Sequence, residues 1–280
     1  MPDSETFSVA PNEAGASLID FLAERLDLSK KNTKRLLDAH AVFVNDRRVW
    51  MAKHALRPGD RVEVRLPREA PASRPARSPT LLWQDDDYVI ADKPAGLLSN
   101  GPDSLESELR EALHCPALEA VHRLDRDTSG CLLLAKNRAA RDAMVQVFKE
   151  GRITKLYHAL ALGRVSHKAR EIATPVDGEP ALTRLTVLSS NHAASHLKLK
   201  LETGRTHQIR KHLLVIRHPV LGDRSYAAGA EPLAALRGIP RQMLHASGLA
   251  FRHPRTGEMV RVQSPLPGDF RVCMRKLRLT

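Results

Sequence analysis

The sequence predicts an α+β protein in which a mixed, largely antiparallel sheet forms the larger part and a small module of two helices and a hairpin precedes it. Three observations lead there. Strand-like segments recur from Leu81 to Gln263 without the regular strand–helix alternation that a parallel sheet requires. Residues 68–80, rich in Pro, Ala, Ser and Arg, lack apolar periodicity and read as an extended, positively charged tether. Hydrophobic residues make up 42% of the 280, enough for a real core, but aromatics only 4%, so that core must rest on Leu, Val, Ile and Ala.

The elements follow in order. Leu18, Ile19, Leu22 and Leu26 recur at helical spacing behind Ser17, an N-cap residue. A second helix is expected from Ser29 to about His40, with Leu36 and Leu37 inward and Lys30, Lys31, Lys34 and Arg35 elsewhere. Residues 41–44 and 47–50 form a hairpin around Asn45-Asp46, and Pro58-Gly59-Asp60 turns the chain into an alternating strand from Arg61 to Leu66. This places a small module at 14–67, a linker at 68–80 and a larger domain at 81–280.

In the larger domain, Leu81–Trp83 and Tyr88–Lys93 flank the acidic turn Asp85–Asp87. A helix is expected near Ser104–Leu113. Leu132–Ala135 reads as a buried strand, and Asn137 caps a helix running to about Phe148. Lys155–Leu162 and His196–Leu201 alternate as strands, with Leu197, Leu199 and Leu201 on one face. Thr206–Ile216 reads as a helix capped by Thr206 and stopped near Pro219. Met243–Phe251 and Met259–Gln263 suggest a late hairpin before a C-terminal helix. There is no internal repeat.

Lys and Arg number 44 against 32 Asp and Glu, a net charge of +12. Such an excess suits a polyanion, because each neutralised phosphate releases a counterion, although a basic protein without a nucleic-acid partner carries the same signature. Cys115, Cys131 and Cys273 lie far apart with no CxxC pair, which argues against a disulfide framework or a zinc site. Cys131 sits in the apolar run Cys131–Ala135 and reads as core. Met1–Glu5 is not a basic patch leading into an apolar stretch, and no run of about eighteen apolar residues occurs. The expectation is a reduced, soluble, cytoplasmic protein with no membrane partner and nothing that requires more than a monomer.

Three segments carry chemistry-bearing residues. In His122-Arg123-Leu124-Asp125-Arg126-Asp127-Thr128-Ser129-Gly130, Asp125 precedes a turn and a buried strand, with Arg123 and Arg126 as cations able to hold it ionised. Alone, this fits an ordinary charged loop better than a site. In Thr203-Gly204-Arg205-Thr206-His207-Gln208-Ile209-Arg210, a glycine turn opens a helix whose first amides can receive an anion. His207 and Arg210 share a face there, and Lys211 extends it. A basic amphipathic helix with Ile209, Leu213 and Leu214 in the core is an equal reading. The third is Lys155-Leu156-Tyr157-His158-Ala159, with a strand tyrosine that would ordinarily be packing.

Together and in this order, the three segments resemble the RluA family of pseudouridine synthases. Asp92-Lys93-Pro94-Ala95-Gly96-Leu97, Ala135-Lys136-Asn137, Ala181-Leu182-Thr183, His218–Asp223 and Leu244-His245-Ala246 match in register, so the resemblance runs from about Leu81 to Phe270. One stretch departs from the family pattern: Leu98-Ser99-Asn100-Gly101 stands where the family often has Val-His-Pro. Residues 14–67 resemble the S4-type (alpha-L) RNA-binding domain through Leu18-x-x-Phe21-Leu22, Leu36-Leu37, Val42-x-Val44-Asn45 and Pro58-Gly59-Asp60.

The resemblance implies the pseudouridine synthase fold and an isomerase that converts uridine to pseudouridine in structured RNA, without cofactor or metal. The absence of a P-loop, a GxGxxG after a strand or a zinc cluster agrees with that. It implies Asp125 as the catalytic carboxylate, Arg210 as its partner, and Tyr157 stacked on the base with a possible part in removing the C5 proton. Lys30, Lys31, Lys34 and Arg35 become candidate phosphate contacts, and Arg123, Arg126, Arg205 and His207 candidate RNA contacts nearer the site. Large-subunit ribosomal RNA is favoured over tRNA by the N-terminal module and the charge. A glycosylase releasing uracil and an RNA-binding assembly factor without turnover are the rival classes. The trio Asp125, Tyr157 and Arg210 argues against the latter, since binding alone does not require it.

Overall fold

Ser17 caps the first helix as its position suggests, its hydroxyl accepting the Asp20 amide at 3.3 Å. This is seen in a computed structural model that describes residues 4–38, 42–49, 51–65, 79–226 and 238–279. The chain divides into two compact units, Met1–Arg77 and Ser78–Thr280. Most of the expected linker, the end of the second helix near His40, Trp50 and Leu66 lie outside the described residues.

The first unit runs β1 (Ser4–Ser8), α1 (Leu18–Arg25), α2 (Lys30–Asp38), β2 (Val42–Val44), β3 (Arg47–Arg48) and β4 (Arg61–Arg65). Its strands form one antiparallel sheet in the order β1-β4-β2-β3. The first strand lies upstream of the expected module start at residue 14. Its pairing partner β4 is over fifty residues away, so no local pattern announces it. Leu18, Phe21 and Leu22 of α1 and Leu37 of α2 pack on Val42, Val44, Val62 and Val64. The alternating valines thus meet the helical leucines across one small core.

The second unit contains β5 (Leu81–Gln84), β6 (Tyr88–Lys93), α3 (Leu105–Ala112), β7 (Glu119–Ala120), β8 (Ser129–Ala135) and α4 (Arg138–Lys149). It continues with β9 (Ile153–Leu162), β10 (Glu171–Ile172), β11 (Thr183–Ser190), β12 (Ala194–Leu201), α5 (Gln208–Val215), β13 (Leu244–Arg252), β14 (Met259–Gln263) and α6 (Gly268–Lys276). The strands form a ten-stranded sheet in the order β10-β11-β12-β9-β13-β8-β6-β5, with β14 on β13 and β7 on β8. The β13–β8 pair is parallel and the other described pairs are antiparallel, so the sheet is mixed and largely antiparallel as expected.

β8 is buried along its whole length because the sheet is covered on both faces there. Leu132 and Leu134 face a core shared with α3, α5, β9 and β12, whereas Cys131, Leu133 and Ala135 face Met144 and Val147 of α4 and Val260 and Val262 of β14. Asn137 and Ser104 cap α4 and α3, accepting the Ala140 and Ser107 amides at 2.8 and 3.2 Å. No helix among the described residues is long and apolar enough to cross a membrane.

Candidate active site

The segment His122–Gly130 leaves β7 and re-enters the sheet as β8, and its path is fixed through the backbone. Asp125 O accepts the Thr128 amide at 3.0 Å, closing a turn. Gly130 then sits at φ +110°, where an added Cβ would stand 2.1 Å from the Ala246 carbonyl oxygen. Only glycine lets β13 approach so closely at the place where it pairs in parallel with β8.

On the incoming side, Ser99 Oγ accepts the Leu124 amide at 2.9 Å and donates to the Leu124 carbonyl at 3.0 Å. The departure from the family pattern therefore puts a small hydroxyl directly behind the residue before Asp125. Lys93, fully buried, donates to the carbonyls of Arg126 at 2.9 Å, Leu97 at 2.6 Å and Pro94 at 3.0 Å. Burial pushes its amine down to about 7 against the pull of Asp127, while three acceptors match the three N–H groups of the charged form. The geometry is that of an ammonium. His122 stacks on Phe148 at 5.3 Å, and its Nε2 accepts the Leu133 amide at 3.0 Å. Burial pushes its pKa down to about 4, so this histidine is a neutral strut.

Asp125 receives Arg210 from the first turn of α5, with Nη1 2.9 Å from Oδ2. The same guanidinium, 6% exposed, is gripped from behind by Asp223: Nε donates to Oδ2 at 2.6 Å and Nη2 to Oδ1 at 2.9 Å. Asp223 has no exposed side-chain surface and also accepts the amides of Ser225 and Tyr226 at 3.0 and 3.1 Å. Burial works against the Arg210 charge, but the bonds and charges of Asp223 and Asp125 outweigh it, and its pKa is raised. The Tyr226 ring lies 4.8 Å from the Arg210 guanidinium carbon, and its hydroxyl is 3.0 Å from His207 Nδ1.

α5 starts differently from the expectation. Thr206 does not cap it; the cap position is His207, in the left-handed region at φ 55° and without a side-chain cap bond. Gln208 anchors the turn instead, accepting the Arg205 amide at 2.9 Å and the Thr203 hydroxyl at 2.8 Å. The Arg205 amide is therefore already engaged and is not an open anion site. The left-handed twist swings His207 toward the loop, its Nε2 3.5 Å from Asp125 Oδ1. Burial lowers the His207 pKa, which keeps the ring neutral near pH 7.

Asp125, Arg210, Tyr157, His207, Arg123 and Arg205 all line one cavity of about 280 Å³. Tyr157 is buried on β9, on the same strand face as Lys155, whose amine donates to the Thr203 carbonyl at 3.0 Å. Arg126 turns away, its Nε donating to the Gly96 carbonyl at 3.2 Å. The cation that meets Asp125 is thus Arg210, 85 residues away, and not its sequence neighbours. Lys211 points elsewhere too, pairing with Asp177 at 2.6 Å. In the first unit Lys34 is exposed and Lys30 pairs with Asp20 at 2.6 Å, while the side chains of Lys31 and Arg35 lie outside the described residues.

The model of the family described as RNA pseudouridylate synthase matches residues 87–214. The ribosomal large subunit pseudouridine synthase D of Haemophilus influenzae is 32% identical over 94% of this chain and 91% of its own length. The chain belongs to the RluA-type RNA pseudouridylate synthases. Synthase C of Escherichia coli K12 is 31% identical over 99% of this chain and 98% of its own. Human RNA pseudouridylate synthase domain containing 1 superposes with a TM-score of 0.60 at 28% identity, over 71% of this chain and 88% of that one. The synthase is accordingly an RNA isomerase with the fold of that family.

Two residues that complete this cluster, Asp223 and Tyr226, are given no role by the sequence. Asp223 stood only in the matching run His218–Asp223, and Tyr226 was not singled out. Asp223→Asn leaves Arg210 with Asp125 as its single anion, and breaking a buried ion pair of this kind costs about 3 kcal/mol. We expect a lower urea midpoint together with reduced turnover; an unchanged midpoint would remove Asp223 as the anchor of Arg210.

Proposed function

We propose that this synthase isomerises selected uridines of large-subunit ribosomal RNA, with Asp125 as the essential carboxylate. The observation that carries the reading is the chain of contacts Asp223–Arg210–Asp125 ending in the cavity. A buried guanidinium held by two carboxylates orients the Asp125 carboxylate where a reacting sugar or base would sit. Oδ2 is occupied by Arg210, and Oδ1 is the oxygen left to approach the substrate.

The reaction follows from that placement. The target uridine leaves its stack and enters the cavity. Its C1′–N1 bond breaks as the carboxylate acts on the nucleotide, the uracil turns in place, and C5 bonds to C1′. The C5 proton then leaves, and N1 carries a proton in the product. Tyr157 packs against the base. Burial, with the Asp125 charge adding to it, pushes the Tyr157 hydroxyl pKa up, so the ring meets the base as a neutral phenol. In this reading Arg123 and Arg205 at the rim contact RNA phosphates, Arg205 by exchanging its exposed 3.6 Å pair with Glu179 for one.

The preference for large-subunit ribosomal RNA rests on the names of the relatives, on the +12 charge, and on residues 14–67 read as an S4-type RNA-binding domain joined by a linker at 68–80. In that reading Lys30, Lys31, Lys34 and Arg35 contact phosphates; the exposed Lys30–Asp20 pair is weak enough to yield to one. Replacing all four with Ala is expected to flatten the slope of log K against log salt by about 3 units. Filter binding across a salt series measures it, and an unchanged slope takes the four off the contact list.

The function itself is tested by mapping pseudouridine with base-specific labelling and primer extension. Wild type and Asp125→Asn act on unmodified ribosomal RNA and tRNA transcripts. A labelled stop on large-subunit RNA with wild type alone is the expected result. A stop on tRNA alone would redirect the substrate, and release of free uracil would mark a glycosylase.

A further inference from the structure

We infer that Arg241 is a positioning residue for catalysis: it holds the Asp125 loop from behind and never meets the RNA. The inference rests on the assignment of Asp125 above. Arg241 is 8% exposed and lies just before β13, outside the cavity lining. Its Nη1 donates to the carbonyls of Asp127 at 3.0 Å, Gln242 at 2.9 Å and Leu244 at 3.3 Å. Nη2 reaches Ser129 Oγ at 3.3 Å and Asp269 Oδ1 at 3.1 Å, and Nε reaches Asp269 Oδ2 at 2.7 Å.

This fork links three pieces: the outgoing limb of the catalytic loop, the start of β13, and Asp269 in the first turn of α6. Its neighbours reinforce the grip on the same limb. Gln242 Nε2 donates to Thr128 Oγ1 at 2.6 Å, and His245 Nδ1 lies 3.0 Å from Ser129 Oγ. With Ser99 on the incoming side at Leu124 and Lys93 beneath Arg126, every carbonyl from Leu124 to Asp127 is captured. Asp125 is then fixed by a frame that its own side chain does not build. A displacement of about 1 Å at such a group lowers the chemical rate by about 100-fold.

Lysine at 241 keeps the charge but replaces a planar fork with one ammonium, so it cannot span both the Asp127 carbonyl and Asp269. Arg241→Lys is compared with wild type by three measurements on the full chain: the single-turnover rate at saturating enzyme, the RNA dissociation constant, and hydrogen exchange of residues 122–130. The expected result is a rate about 10- to 100-fold lower, an affinity within about threefold, and faster exchange confined to the loop. Asp269→Asn, which leaves Arg241 in place without its anion, is expected to shift rate and exchange in the same direction by a smaller factor. It carries the test if the lysine variant does not fold.

Unchanged loop exchange overturns the inference whatever the activity. Faster exchange with an unaltered single-turnover rate also overturns it, because Arg241 would then serve stability alone. Faster exchange in the variants, with no pseudouridine from wild type, would sink the assigned reaction while leaving Arg241 as the holder of the loop.

Discussion

Asp125→Asn is expected to lower the single-turnover rate by at least about 1000-fold while RNA affinity stays within about threefold. The asparagine has the same shape and still accepts from Arg210, so the loop keeps its path. What disappears is the anion. Arg210 retains both bonds to Asp223 and is not left as an unpaired buried charge, so the variant should fold with a loss below about 1 kcal/mol. Unfolding midpoints, filter binding and single-turnover assays separate the three effects. A variant that binds, folds and still forms product at a tenth of the wild-type rate would refute the assignment of Asp125.

Gly130→Ala is expected to be the most destabilising single substitution in the segment His122–Gly130, costing more than about 3 kcal/mol. Two penalties coincide there. A side chain is strained at φ +110°, and its Cβ would collide with backbone at 2.1 Å, so no rotamer can relieve it. Gly101→Ala separates the two terms, because Gly101 has φ +91° with nothing within 4 Å of a Cβ. That variant should cost about 1 kcal/mol. The obstacle at Gly130 is the Ala246 carbonyl and not its methyl group, so Ala246→Gly should not rescue Gly130→Ala. Urea denaturation of the three proteins checks the ranking, and equal losses for Gly130→Ala and Gly101→Ala would show that β13 does not press on the loop.

What could be read from the sequence is what short-range chemistry decides. Ser17 and Asn137 announce helices because a cap bonds only two or three residues ahead. The Leu132–Ala135 run announces a strand buried on both faces. β11 went unread because its core side begins with Thr183 and its outer side carries Leu188, 46% exposed, which blurs the alternation. The cap of α5 was misread for a related reason: Thr206 has the right chemistry, but Gln208 takes the turn's bonds and His207 twists into the left-handed region. Asp125, Tyr157 and Arg210 were singled out through the family pattern. Their meeting was beyond periodicity, since Arg210 reaches Asp125 across 85 residues of chain and Asp223 meets Arg210 from beyond the end of α5. Asp223 looks like any Gly-Asp turn until the guanidinium is seen to need it.

The captured carbonyls of residues 124–127 have a consequence for how such an enzyme can change. The loop is held by its main chain, which every residue shares, while the side chains of Arg123 and Asp127 remain exposed and take no part in that capture. Substitutions at these two positions can alter the exposed surface beside the cavity and leave the carboxylate where it is. Under the proposed roles, recognition and chemistry are thereby separable, and a new uridine context can be acquired without rebuilding the reaction.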